Sequence, residues 1–419
     1  MKNIVLLTFD SLRADHCGYA GYTRNTTPTI DSLAEEGLLF RDANAPASRT
    51  NPSMSTIFTG ETIRNRGRVS NPENSRRHIA RHGTIAQDLS ERGYTTGAFN
   101  PNAYASRYYG FDIGFDHFED FLFQSESYRR LFSNHLNGSS MFTTFRNLRN
   151  YVRREEAFRT WDTYIDDIEE WVRAQREPFF LWAFSMDTHF PYLTPRSHRT
   201  WSNVLDQYYY NWKRNQLIDE FDIELSSRTH KKLVDIYDDS IRYANQFVAE
   251  LRDRLEEFDP IFVIHADHGE AFGERGVYGH FYPSLYEEHI DVPLVIYGTD
   301  RDDTITKPVS LRNLRWIINQ LSDGYEFVPE EKIIHSLEHD GRRDRTVTAV
   351  KANKWKYVQV DGEDQTQELY DLEHNPNEQQ NRFEDERCSE LLAGYADRQL
   401  AHRRELTGIE EAIESLDEV

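Results

Sequence analysis

Apolar runs and amphipathic stretches alternate along most of the chain. Apolar runs bounded by turn residues predict strands at Asn3–Phe9, Thr95–Phe99, Pro178–Phe184, Ile261–His265 and Val292–Tyr297. Apolar positions spaced three or four residues apart predict intervening helices at Pro28–Glu36, Thr84–Arg92, Trp161–Arg173 and Lys231–Glu257. Alternating strands and helices favour an α/β fold, in which a large and mostly parallel sheet is sandwiched by helices.

One long segment interrupts this alternation. From Phe118 to Glu156 the chain is rich in aromatic residues and arginine and lacks strand signals, so residues 118–156 are predicted to form a helical insertion. Such an insertion could lie over the functional site as a substrate lid, or it could be ordinary helical packing.

The pattern changes again after about residue 330. Short strands follow, and Thr346–Ala352 with Lys356–Val360 resemble a hairpin. A charged helical tail then runs from Glu384 to Val419. We therefore predict a large α/β domain over residues 1–330 and a small subdomain and helical tail over residues 331–419.

The composition restricts the class of protein. An apolar fraction of 38% and an aromatic fraction of 13% are typical of a soluble globular protein. The formal charge of −22 repels polyanions, so nucleic acid is a poor candidate partner. No run of about eighteen apolar residues is present, so we expect no membrane span. The opening MKNIVLLTFD is too short for a secretion signal and the two cysteines require no oxidising compartment, so we expect a cytoplasmic protein.

Polar side chains follow the predicted strands. Asp10 ends the first strand, and Asp267 and His268 follow the fourth strand in the sequence ADHGE. Because the carboxyl ends of parallel strands meet at one edge of a sheet, these side chains are expected to converge. Carboxylate oxygens and imidazole nitrogens bind divalent cations, so we expect one such cation there, Ca, Mn, Mg or Zn. A lone Asp10 would more simply cap the turn after its strand.

Thr50 lies in the segment SRTNPSMSTIFTG, just ahead of a predicted short helix. A threonine in that position can cap the helix. Alternatively, its hydroxyl can be a nucleophile, because a helix N-terminus and a coordinated metal ion both stabilise an alkoxide. In that case the metal ligands would be Asp10, Thr50, Asp267 and His268.

Three further side chains are candidates for contacts with a substrate. His189, in SMDTHFPY after the third strand, can protonate a leaving oxygen, or it can be an ordinary histidine that supports the site. His280, in GVYGHFYP, can bind a ligand oxygen or cap its own loop. Asn100, directly after the second strand, is a further candidate substrate-binding residue.

Several segments, in one order, make the sequence resemble the sulfatase family of the alkaline phosphatase superfamily. They span about residues 3–381 and include NIVLLTFDSLRADHCGYAGY, ASRTNPSMSTIFTG, EPFFLWAFSMDTHFPY and FVIHADHGEAFGERGVYGHFYPSLYEEHIDVPLVIYG. The resemblance implies a large α/β sandwich followed by a small antiparallel sheet with a helix. It also implies hydrolysis of sulfate, phosphate or phosphonate esters with one divalent cation. By position it makes Asp10, Asp267 and His268 the metal ligands, Thr50 the nucleophile and His189 a neighbour of the leaving group.

The chain departs from the family pattern at the nucleophile. Sulfatases carry a Cys or Ser, oxidised to formylglycine, in the signature Cys/Ser-x-Pro-x-Arg, whereas the signature here begins with Thr50 and ends with Met54. Threonine is not a substrate for that oxidation, and Ser48 has no proline two residues later. We therefore expect an unmodified Thr50, as in the phosphoryl-transferring branches of the superfamily.

Two further departures concern ligands. Ser11 stands where the family often has a second Asp, which indicates a sparser ligand set. Arg66, flanked by Arg64 and Arg68, stands where relatives have a His-Gly pair. Arg66 either binds an anionic substrate or is a solvated surface charge.

Three hypotheses follow. The leading one is a metal-dependent hydrolase of an anionic ester, sulfate or phosphate, whose alcohol part could be a carbohydrate. A second is a transferase of the phosphoethanolamine type that passes the group to a glycan or a lipid. A third is a pseudoenzyme that kept the fold as a binding module, although the retention of every expected metal ligand argues against it.

Overall fold

A computed structural model describes residues 1–63, 71–121, 159–217, 220, 222–280, 282–325, 329, 331–340, 345–362 and 365–417. The strands are β1 (Ile4–Phe9), β2 (Leu38–Phe40), β3 (Ala43–Asn44), β4 (Thr95–Phe99), β5 (His117–Glu119), β6 (Phe179–Ser185), β7 (Ile261–Ala266), β8 (Ala271–Phe272), β9 (Tyr278–Gly279), β10 (Asp291–Val292), β11 (Leu294–Tyr297), β12 (Thr304–Ile305), β13 (Val309–Ser310), β14 (Ile334–Asp340), β15 (Arg345–Ala352), β16 (Trp355–Asp361) and β17 (Thr366–Asp371). The α-helices are α1 (Pro28–Glu35), α2 (Thr50–Thr59), α3 (Pro72–His82), α4 (Ile85–Glu91), α5 (Ile165–Ala174), α6 (Val204–Asn215), α7 (Ser227–Leu255), α8 (Glu287–Ile290), α9 (Leu314–Ser322) and α10 (Cys388–Asp417).

The large sheet has the strand order β12-β2-β11-β7-β1-β6-β4-β5. From β7 to β5 the strands run parallel, as predicted. β11 is antiparallel to both of its neighbours, β7 and β2, so the sheet is mixed. Every residue of β1 is buried, which fits a central strand with helices on both faces of the sheet.

The predicted strands are confirmed, and the first four lie within one residue of the observed bounds. The fifth, Val292–Tyr297, divides at Pro293 into β10 and β11, which belong to different sheets. Proline has no N–H to donate to a strand ladder, so the chain changes sheet there. The apolar run therefore marks the strand residues correctly but conceals the break.

The four predicted helices are present as α1, α4, α5 and α7. α4 begins with a capping box, in which Thr84 Oγ1 accepts from Gln87 N and Gln87 Oε1 accepts from Thr84 N, each at 3.1 Å. α5 begins at Ile165 rather than at the predicted Trp161, because Trp161–Thr163 forms a separate 3₁₀ turn. The long helix α7 packs against α1 and α6.

The carboxyl-terminal part contains a separate antiparallel sheet with the order β14-β15-β16-β17. Its central pair, β15 and β16, is the predicted hairpin. α10 packs on these two strands, and the small core between them includes Val350, Tyr357, Leu392 and Ala396. The fold prediction is thus confirmed, whereas the domain boundary at residue 330 stays a prediction.

The predicted insertion at residues 118–156 lies mostly outside the described residues. Its first two residues belong to the edge strand β5, so the predicted start was wrong. A strand of three residues is too short to show an alternating pattern. Within the described residues, no helix has both the length and the apolar character that crossing a membrane requires.

Candidate active site

The register of the central strands brings two acidic residues together. Phe9, at the end of β1, pairs with Ala266, at the end of β7. Asp10 and Asp267 are the next residues along the chain, and Asp267 N donates to Phe9 O at 3.1 Å. Both aspartates are fully buried. The convergence predicted from the direction of the strands is therefore observed at this edge of the sheet.

The turn after β1 holds both carboxylates. Ser11 has a backbone φ of 62°, a left-handed conformation that is rare for a residue other than glycine. In this conformation Ser11 N donates to Asp267 Oδ1 at 3.2 Å, while Ser11 Oγ donates to Asp10 Oδ1 at 2.7 Å. Tyr237 of α7 donates its hydroxyl to Ser11 O at 2.6 Å. Ser11 therefore orients the two aspartates.

Asp10, Asp267 and His268 place their ligand atoms within 4.8 Å of one another. His268 Nδ1 donates to Gly269 O at 2.8 Å, so Nε2 is the ring nitrogen that faces the two aspartates. Nε2 lies 3.6 Å from Asp10 Oδ1 and 3.5 Å from Asp267 Oδ2. Asp267 Oδ2 is buried and has no hydrogen-bond partner among the described residues. These hard oxygen atoms and one imidazole nitrogen fit the expected divalent cation.

The electrostatics of the cluster agree with this donor set. Burial raises the pKa of Asp267 to about 7, and the charge of Asp10 acts in the same direction. Burial would lower the pKa of His268, but Asp267 and Asp10 outweigh it and raise this pKa. Negative charge is therefore concentrated away from water, and a cation bound there would offset it.

Thr50 is the first residue of α2. Arg49, with extended backbone angles, occupies the N-cap position, and its side chain makes no capping hydrogen bond. The interpretation of Thr50 as the cap is therefore wrong. Its hydroxyl lies 3.3 Å from His268 Nε2, at the positive end of the helix dipole. The Thr50 hydroxyl thus lies beside Asp10, Asp267 and His268, and its roles as nucleophile and metal ligand stay predictions.

Two neighbours of Thr50 can also be placed. Met54, which stands where the family signature has arginine, is fully buried in the large hydrophobic core. The Ser48 hydroxyl donates to Glu338 Oε2 at 2.7 Å and accepts from Ser284 N at 3.2 Å. Ser48 therefore faces the carboxyl-terminal sheet, which argues against it as the nucleophile.

The loop after β4 supplies an unexpected contact to Asp10. Asn100 uses its amide within that loop, because Nδ2 donates to Ala105 O at 2.6 Å and Oδ1 accepts from Asn102 N at 2.8 Å. Substrate binding by Asn100 stays a prediction. Asn102, which the sequence analysis missed, donates from Nδ2 to Asp10 Oδ2 at 2.6 Å. Its Oδ1 accepts from Tyr104 N at 2.7 Å, so its orientation is fixed.

Replacing Asn102 with alanine is expected to weaken cation binding roughly 10-fold, because a partner that orients a ligand contributes about that much to affinity. Titration calorimetry with Mn²⁺ measures the change. The matched control is Asn313→Ala, because Asn313 also donates to a carboxylate, that of Glu331, but contacts no residue of the cluster. An unchanged Kd in the Asn102 variant would contradict the assignment.

Three histidines meet beside the cluster. The ring of His280 lies 4.4 Å from that of His268 and 5.3 Å from that of His189, measured between centroids. His280 Nδ1 donates to Glu270 Oε2 at 2.9 Å, and Glu270 Oε1 accepts from Arg214 Nη2 at 2.6 Å. The structure therefore brings both predicted histidines to the site, and it adds a buried Arg–Glu–His chain.

The charges in this chain determine the state of His280. Burial would raise the pKa of Glu270, but Arg214 and His280 outweigh it and hold this pKa well below its usual range. Burial lowers the pKa of His280 to about 4, although Glu270 opposes the shift. Near pH 7, His280 is therefore neutral, with its proton on Nδ1 and a lone pair on Nε2.

The remaining predicted site residue, Arg66, lies outside the described residues, so its contact with a substrate stays a prediction. Of the residues that the sequence analysis missed, Glu270 carried a signal, because it completes the sequence ADHGE. Asn102 follows a strand in a turn-like sequence, which is a weaker signal. Arg214 lies on an amphipathic helix and carried none.

Comparison with known proteins agrees with the fold. The family model named Sulfatase matches residues 2–314. A sulfatase of Formosa agariphila is 23% identical over an alignment of 435 positions, which covers 90% of this chain and 82% of that protein. The structure of a phosphonate monoester hydrolase of Agrobacterium radiobacter has a TM-score of 0.68 at 16% identity, and the match covers 97% of this chain and 96% of that one.

A further solved structure, of a protein in complex with its substrate D-glucosamine-2-N,6-O-disulfate, has a TM-score of 0.66 at 15% identity. That match covers 98% of this chain and 97% of the other. At such identities the structural likeness shows the fold alone. The family model, however, runs through Thr50 and through both strand ends that carry the clustered acids. We conclude that this chain belongs to the sulfatase family.

Proposed function

We propose that the chain is a metal-dependent hydrolase that cleaves a sulfate or phosphate ester by in-line attack of Thr50. Membership of the sulfatase family supports a sulfuric ester hydrolase as the broad class. One observation carries the finer proposal. The Thr50 hydroxyl lies at the amino-terminal end of α2, 3.3 Å from His268 Nε2 and beside two buried aspartates.

Asp10, Asp267 and His268 are the residues that would hold the cation, with the Thr50 oxygen as a fourth ligand. Bound there, a divalent cation would stabilise the Thr50 alkoxide and offset the charge of the carboxylates. Asn102 and Ser11 orient the carboxylates before a substrate arrives. This support suits a preformed site, because ligand position is fixed by partners that do not themselves touch the ion.

Each step of the proposed reaction is assigned to a residue of the chain. The Thr50 hydroxyl would release its proton to solvent as the cation binds. Thr50 Oγ then attacks the sulfur or phosphorus atom, and the new bond forms as the bond to the alcohol oxygen breaks. The departing alkoxide takes a proton, for which His189 is the candidate donor. Water then attacks the Thr50 ester, which releases sulfate or phosphate and restores the hydroxyl. Neutral His280 has a lone pair suited to accept the proton of that water.

Two observations bear on the substrate class. A disulfated glucosamine is the substrate in one structure of the same fold, which supports a carbohydrate-linked sulfate. A phosphonate monoester hydrolase also shares the fold, and Thr50 stands where sulfatases carry a modified residue, which supports a phosphorus ester. Both classes are anionic esters that a buried cation could bind.

Turnover of nitrophenyl sulfate, nitrophenyl phosphate, bis(nitrophenyl) phosphate and a phenylphosphonate monoester by the metal-loaded protein tests the proposal. We expect turnover of at least one of these esters, and a sulfate or phosphate ester on Thr50 in a digest of acid-quenched protein analysed by mass spectrometry. Cation binding without turnover of any of these esters would favour the pseudoenzyme. A formylglycine in the digest, or a sulfate or phosphate ester on Ser48 instead of Thr50, would overturn the role of Thr50.

Replacing Glu270 with glutamine is expected to lower kcat/KM roughly 10-fold to 100-fold, because His280 loses the carboxylate that fixes its tautomer and orientation. The affinity for Mn²⁺ should change little, since Glu270 contacts His280 and Arg214 rather than the cluster. Steady-state kinetics and titration calorimetry measure the two quantities.

The matched control for this variant is Glu288→Gln. Glu288 is also buried and accepts from an arginine, Arg275, at 2.7 Å, but it does not contact His280. An equal loss of activity in both variants would mean that Glu270 supports the fold rather than His280.

A further inference from the structure

The segment that leads into Thr50 lies along the edge strand of the carboxyl-terminal sheet. Ser336 Oγ of β14 donates to Ala45 O at 2.8 Å. The next residue of β14, Leu337, donates from its backbone N to Pro46 O at 3.1 Å. These contacts join residues nearly 300 positions apart in the sequence. They show that β14 lies beside the segment that leads into Thr50.

Glu338, the next residue of β14, has the strongest contacts with this segment. Its side chain is fully buried, and Oε2 accepts from both Ser48 N and Ser48 Oγ at 2.7 Å. Its Oε1 pairs with Arg49 Nε. Arg49 also donates from Nη2 to His339 O at 3.3 Å. A buried carboxylate is stable only with such partners, so Glu338 fixes Ser48 and Arg49 in one arrangement.

This arrangement determines where helix α2 begins, and Thr50 is its first residue. Arg49 is the N-cap residue of α2, yet its side chain makes no capping hydrogen bond. The direction in which the chain enters α2 is therefore set from outside, by the contacts of Ser48 and Arg49. A nucleophile that moves by about 1 Å can lose roughly 100-fold in rate.

We propose that Glu338 is a positioning residue for the Thr50 nucleophile, and that the carboxyl-terminal sheet is thereby part of the catalytic machinery. The inference rests on the proposed role of Thr50. Among the described residues, the carboxylate of Glu338 is hydrogen-bonded to Ser48 and Arg49. Glu338 therefore acts on the nucleophile without touching the metal ligands.

The test is Glu338→Gln in the full chain, with kcat, KM and the Kd of Mn²⁺ measured on the same preparation. Glutamine keeps the shape of the side chain but turns the ion pair with Arg49 into a neutral contact. We expect kcat to fall at least about 10-fold, because Thr50 is no longer held in line. KM and the Kd of Mn²⁺ should stay within about twofold, because Glu338 does not contact Asp10, Asp267 or His268, the three stronger ligands. An unchanged kcat would overturn the inference.

Thr348→Val is the matched control in the same sheet. Thr348 lies on β15 opposite Leu337, is fully buried, and has an Oγ1 without a hydrogen-bond partner among the described residues. Valine has nearly the same shape, so this variant should keep the wild-type kcat. A loss of kcat equal to that of the Glu338 variant would mean that any disturbance of the sheet suffices, and would overturn the specific role of Glu338.

If Glu338→Gln fails to fold or loses cation binding, Ser48→Ala decides. It removes the hydroxyl that donates to Glu338 and accepts from Ser284 N, and it leaves the pair between Glu338 and Arg49 intact, so kcat should fall roughly 3-fold to 10-fold. A wild-type kcat in this variant overturns the inference.

Thr50→Ala separates this inference from the proposed function. Full activity of Thr50→Ala would show that Thr50 is not the nucleophile, and it would overturn the positioning role of Glu338 as well. An inactive Thr50→Ala beside a fully active Glu338→Gln leaves the proposed function standing and removes only the positioning role.

Discussion

Replacing Thr50 with alanine is expected to lower kcat by roughly 10³-fold or more, because the reaction loses the atom that forms the covalent ester. By the transition-state relation, such a loss corresponds to about 4 kcal/mol. Thr50→Ser keeps a hydroxyl at the same helix end and is expected to retain part of the activity. The Kd of Mn²⁺ should rise modestly in Thr50→Ala, since the three stronger ligands remain. Steady-state kinetics on the best nitrophenyl ester measure these effects.

The control for this prediction is Ser55→Ala, in the next turn of α2. Ser55 is buried, and its hydroxyl contacts that of Ser75 at 3.4 Å, outside the cluster. This variant should keep kcat within about twofold, because it removes a hydroxyl of α2 that touches no reacting group. If Thr50→Ala retained wild-type turnover, another nucleophile, such as water, would have to attack the ester directly.

The convergence of Asp10 and Asp267, two of the proposed metal ligands, could be predicted from the sequence because it depends on strand direction. Apolar runs identified β1 and β7, and polar residues directly after parallel strands must meet at one edge. The observed register of Phe9 with Ala266 brings Asp10 and Asp267 side by side. This prediction needed only the order of residues along the chain and the parallel arrangement of the strands.

Other features depend on information that a local pattern does not contain. An apolar run does not encode strand direction, so the antiparallel β11 was not foreseen. Threonine is a favoured N-cap residue, so the helix start was expected one residue late, although Arg49 is the cap. Asn102 reaches Asp10 across 92 positions, and Glu338 reaches Ser48 across 290. Such contacts arise only when loops pack on the finished sheet.

Removing the divalent cation is expected to abolish turnover and to destabilise the fold. A cation present at about 100 times its Kd raises the free energy of unfolding by about 2.7 kcal/mol, because it binds the folded chain and not the unfolded one. Asp267→Asn should lose both this stabilisation and most of the turnover. Without any cation, however, the same variant should be more stable than the wild type, because one of two repelling buried charges is gone.

Denaturant unfolding with EDTA and with Mn²⁺ measures this reversal, and Asp371→Asn is its matched control. Asp371, Glu373 and His374 also place their ligand atoms within 4.8 Å, but Asp371 Oδ2 already pairs with Lys354 Nζ at 2.8 Å. Mn²⁺ should therefore stabilise Asp371→Asn as much as the wild type. Equal stabilisation of Asp267→Asn by Mn²⁺ would place the cation elsewhere. If Asp267→Asn alone is more stable than the wild type in EDTA and less stable in Mn²⁺, the buried charge of the cluster is directly linked to cation binding.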